Sequence, residues 1–156
     1  MQQPNAFRVV RILHTALLIS MGMLNIIALI FVLQKFGGKA DESFQRILQV
    51  VCILLSAACI IGGFTIFKKR IFAARNSLGP AEERMELYRA ACIVWWALIE
   101  GPGLLAAIGF LLSGNYAFFA LSIVHVLILL AFTPRKANII LFLNLNDKEV
   151  ERLEGA

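Results

Sequence analysis

Four mostly apolar runs, uncharged but for Glu100, follow one another along the chain. They cover Ile12 to Gln34, Ile47 to Phe67, Ala90 to about Leu112 and about Ala117 to Thr133. Basic residues flank them: Arg11 and Lys35, Arg46 and Lys68, Arg89, and Arg135. A helix needs about 20 apolar residues to cross a bilayer, so the pattern predicts four transmembrane helices, the fourth short but adequate. Ser113 to Tyr116 reads SGNY, a tight turn that makes the last two helices an antiparallel hairpin. The expected fold class is an all-α membrane protein with four transmembrane helices in two hairpins. Residues 1–134 form the bundle and 135–156 a short tail with a C-terminal helix.

Between the spans the helices should continue. FKKRIFAARNSL carries the second helix onward with no breaker until Gly79-Pro80, and Pro80 followed by Glu82 and Glu83 opens the third. The third should therefore reach ~50 Å at 1.5 Å per residue. After Pro134, ANIILFLNL is apolar but too short to span. Asn146 with Glu149 three residues on has the form of a capping box opening a short helix, DKEVERLEG. Each piece outside the membrane is about twenty residues, too few to bury a core of its own. The first apolar run is longer than that of a signal peptide and no small-residue cleavage site follows it, so it is expected to stay as an anchor.

Composition changes little here. Of 156 residues 60% are hydrophobic and 16% charged, against roughly a quarter charged in a soluble domain. The net charge of +5 does not point to nucleic acid, because the basic residues sit at span ends and no recognition motif accompanies them. Their distribution does set an orientation. Arg8, Arg11, the six basic residues from Lys68 to Arg89, and Arg135, Lys136, Lys148 and Arg152 fall on one side. Lys35, Lys39 and Arg46 fall on the other. Both termini are therefore expected in the cytoplasm, in a bacterial inner membrane. Cys52, Cys59 and Cys92 lie inside the runs without a C-x-x-C pair and read as packing residues. No nucleophile with a base, metal-ligand cluster or phosphate loop stands out, so no catalysis, metal or cofactor is expected.

Glu100 is the exception, a carboxyl about ten residues into the third span, where it costs several kcal/mol unless paired, hydrated or protonated. Burial favours its neutral form. Pro102 removes one helical hydrogen bond beside it, and with Gly101 and Gly103 predicts a kink. Counted outward from SGNY, Glu100 and His125 differ in depth by ~6 Å, within side-chain reach if both face inward. Asn25 and Ser56 also sit near mid-span, and four polar groups at one depth suggest a polar core. Three roles stand open for Glu100: a hydrogen bond that glues helices, a proton- or ion-binding carboxylate, and a ligand or lipid head-group site. His14 reads as interfacial. For helix packing, Ala58 with Gly62, Cys59 with Gly63, and Gly103 with Ala107 form small-xxx-small pairs.

A weak repeat sets Leu18–Phe31 against Ala97–Phe110, which places Met21 where Glu100 stands. The stretch ALIEGPGLLAAIGFLLSGN, preceded by KKRIFAARNSLGPAEERMELYR, resembles the proteolipid c subunit of rotary ATP synthases over about residues 56–115. That resemblance implies an ion-carrying carboxylate at Glu100. The second helix lacks the regular glycines of that family, and the tail has no counterpart in it. The whole chain resembles the small four-helix bacterial inner-membrane proteins. The function expected is a structural or accessory subunit of a larger membrane complex, in contact with lipid and with other subunits or copies of itself. The alternative is a proton- or ion-binding proteolipid.

Overall fold

The structure, a computed structural model, describes residues 5–38 and 40–155; Lys39, counted above among the charges of the outer side, lies outside them. The described residues form six helices and no strand: α1 (Ala6–Leu33), α2 (Glu42–Arg75), α3 (Ala81–Ser113), α4 (Tyr116–Ala131), α5 (Lys136–Leu143) and α6 (Asp147–Glu154). The helix ends follow local chemistry. Asp41 opens α2 by accepting from the backbone N–H groups of Ser43 and Phe44 at 2.7 and 3.1 Å. Gly114 ends α3 in the left-handed region at φ 67°, and Asn115 opens α4 by accepting from the Ala117 N–H at 3.0 Å. The turn of two residues between them folds α4 back along α3.

The protein is an all-α, four-helix membrane protein. Helices α1, α2 and α3 are each long and apolar enough to cross a bilayer alone. Helix α4, at 16 residues, spans ~24 Å, short of a hydrocarbon core of about 30 Å. The apolar run continues into α5, but at 71° to α4, because Pro134 bars the residue before it from continuing the helix.

Helix α3 is the centre. It packs against α1, α2 and α4, whereas α2 packs chiefly on α3 and α1 on α3 and α4. Half of the apolar window of α3 is buried, compared with 17% in α1 and α2. Consecutive helices α1 and α2 are thus held apart by the third.

The connection between them crosses the tip of α3. The Gly38 and Ala40 N–H groups donate to the Leu111 and Leu112 carbonyls at 3.2 and 3.1 Å, filling last-turn acceptors that a helix cannot fill itself. A Cβ on Gly37 would strike the Leu111 oxygen, and one on Gly114 would come within 3.3 Å of the Gly38 backbone. Only glycine permits this crossing.

At the opposite end α5 and α6 fold back on the bundle, α5 onto α2 and α3, α6 onto α1 and α3. Ile139, Leu143 and Leu153 are buried there. The Arg84 side chain, also buried, donates from Nη1 to the Leu143 carbonyl at 2.9 Å and pairs through Nη2 with Glu149. Glu149 in turn accepts from the Asn146 N–H at 2.9 Å, closing the capping box of α6. One carboxylate both starts the last helix and fastens it to α3.

Candidate functional site

Glu100 does not meet His125. It is only half-buried, and the Ser20 hydroxyl of α1 donates to its Oε1 at 3.0 Å. The reason is rotation. Gly103 faces α1 and α4 together, since a Cβ there would strike the Met21 methyl and lie 2.8 Å from the His125 Cβ. Glu100, three residues earlier, is turned ~60° around the helix from Gly103, away from His125 and onto Ser20 of α1. His125 packs at Gly103, three residues from Glu100, but on a different face of α3.

His125 is wholly buried, and its Nδ1 donates to the Leu121 carbonyl of its own helix at 2.9 Å. Its Nε2 has no partner. Asn25 is buried likewise, its Nδ2 donating to the Met21 carbonyl at 2.9 Å while Oδ1 stays unpartnered. The Ser122 hydroxyl of α4 donates to the Gly103 carbonyl at 2.9 Å. Two unpartnered polar atoms thus lie on α1 and α4, the helices that meet at Gly103. Ser56 is buried without a partner on α2, which packs on a different side of α3. The four mid-span polar residues therefore do not form one core: Asn25 and His125 border the same junction, Ser56 stands apart, and Glu100 sits at the rim.

Helix α3 runs unbroken through Pro102, which is buried together with Gly103 while Gly101 is exposed. Among the small residues, Gly63 makes the close contact of α2 with α3, a Cβ there lying 3.0 Å from Trp95. Ala107 is buried. Ala58 and Gly62 are exposed, and a Cβ on Gly62 would meet nothing within 4 Å.

Three residues escaped the sequence reading. Ser20 was findable: α1 and α3 run the same way, and it sits at nearly the depth of Glu100 when both are counted from the charged ends of their spans. His14, read as interfacial, is buried inside the bundle, donating from Nε2 to the Leu129 carbonyl at 2.9 Å with Trp96 edge-on at 5.1 Å. Arg84, counted only as a topological charge, is the fastening of the tail. Neither of the last two carries a local signal.

Residues 6–73 are similar to the family described as the 4TM region of mitochondrial pyridine nucleotide transhydrogenase. The similarity covers α1 and most of α2, less than half of the chain, and indicates a membrane-helical family, not the rotary ATPase c subunit in particular. No curated protein and no solved structure matches the chain.

Proposed function

We propose that the protein is a small integral-membrane subunit that docks a further membrane helix against the edge between α1 and α3, at Glu100. The Ser20–Glu100 hydrogen bond carries this reading. It leaves a half-buried carboxyl about midway along the apolar part of α3, and no cation pairs with it among the described residues. A carboxyl facing hydrocarbon costs several kcal/mol, and a donor from another helix relieves that cost. Beside it Ala97 and Gly101 are exposed, and a Cβ on Gly101 would meet nothing within 4 Å, so a second backbone has room to approach. The likeness of α1 and α2 to a named membrane region of a transhydrogenase supports work within a larger assembly. On this reading the chain is not itself an enzyme, and the excess of basic residues at the end of the bundle holding both termini favours the cytoplasm for that end. The docked helix belongs to another subunit or to a second copy.

The second reading, a proton- or ion-binding proteolipid similar to a rotary ATPase c subunit, is favoured by the same pair seen differently, as two oxygen groups from two helices at mid-depth. Isolation in mild detergent after crosslinking tests both. Gly101→Leu should leave the unfolding temperature of the isolated chain unchanged and remove the co-isolated helix; an intact assembly would overturn the docking edge. Glu100→Gln separates the readings. The amide keeps the hydrogen bond, so docking survives, whereas an ion site must titrate, and the ion-dependent activity of the assembly would be lost.

A further inference from the structure

Where Pro134 turns α5 away from α4, a two-part cleft opens between α2 and the bend from Phe132 to Phe142. Its inner cavity, of about 190 Å³, is lined by Tyr88, Cys92 and Trp95 among others. The adjoining outer part, of about 440 Å³, runs along Phe64, Ile71 and Phe72 of α2. Phe67, Phe132 and Phe142 line both. Lys68 and Arg75 border the outer part and Arg135 the inner, and no acidic residue lines either among the described residues. The Lys68 ammonium lies 5.6 Å above the Phe64 ring, on the cleft side of α2. Trp95 is 2% exposed, and its indole N–H has no acceptor. The benzo edge of that ring is the one facing Gly63, so the N–H lies on the opposite edge.

We propose that this cleft holds one anionic phospholipid. Its acyl chain lies over the aromatic wall, its phosphate sits against Lys68 and Arg75, and an ester carbonyl entering the inner cavity is the acceptor that Trp95 lacks. Lys68 ends the uncharged run of α2, so the cations stand where apolar and polar zones meet and a head group belongs. Three cations with no acid select an anionic head group over a zwitterionic one. A peptide helix, ~10 Å across, is too thick to bring its backbone carbonyls into the inner cavity, whereas a lipid ester is not.

The test uses Trp96→Phe, which leaves Trp95 as the one indole, in phosphatidylcholine vesicles carrying a small fraction of lipid brominated on its acyl chains. Brominated phosphatidylglycerol should quench Trp95 as well as about fivefold more brominated phosphatidylcholine, a preference worth one cation near the head group. Lys68→Gln/Arg75→Gln should abolish the preference. Lys69→Gln/Arg70→Gln, which removes the same charge from residues that line neither part, should keep it. Equal quenching by the two lipids, or equal loss in both double variants, would overturn the site and leave only diffuse surface attraction. Native mass spectrometry of phosphatidylglycerol retained by the parent chain and the two double variants gives the same ranking without the tryptophan substitution.

Discussion

Gly62 and Gly103 look alike in the sequence, each one end of a small-xxx-small pair, yet their surroundings differ. A side chain on Gly103 would press on Met21 and His125 at once, while Gly62 faces open space. Gly103→Leu should therefore destabilise the isolated protein by about 1–3 kcal/mol through overpacking, and Gly62→Leu should stay within about 0.5 kcal/mol of the parent. Denaturant titration in detergent reads both; equal loss in the two would mean that Gly62 is also buried against something. The same limit applied to Glu100. Its depth could be counted from the span ends, because every residue adds a fixed rise. Its facing could not, because a rotation of one residue moves a side chain ~100°, and an apolar helix buried on several sides has no polar face to mark the direction. Depth was legible and direction was not.

At the level of elements the legible parts were those with local causes. Charged flanks marked the apolar runs of α1, α2 and α3, SGNY closed the second hairpin, and Asn146 with Glu149 formed its capping box because both partners lie within one turn. The docking of α5 and α6 depends on Arg84, 59 residues before its carbonyl partner and 65 before its carboxylate, and no short-range pattern encodes such a pair. It yields a test. Glu149→Ala should leave the Arg84 guanidinium largely buried with one partner fewer, costing about 1–3 kcal/mol, and the tail should loosen. Trypsin should then cut at Lys148 and Arg152 several times faster than in the parent, whereas Glu151→Ala, with no pairing to lose among the described residues, should leave the rate unchanged.

For the molecule as a whole, the orientation rests on Lys and Arg counts. A cysteine placed at Ser77, between α2 and α3, should resist a membrane-impermeant thiol reagent in intact cells and react once the cells are opened; labelling from outside would reverse the topology. The arrangement around α3 also bears on the order of synthesis. The first two helices enter the membrane before the one they both pack against. Until α3 is made, Asn25 and Ser56, buried in the finished bundle, have only each other's neighbourhoods, lipid, or the insertion machinery to face. The part of the chain similar to the transhydrogenase region ends before α3 begins, so it does not contain its own packing centre. Completion of the bundle should therefore wait on α3, whose arrival supplies the surface that both earlier helices pack against.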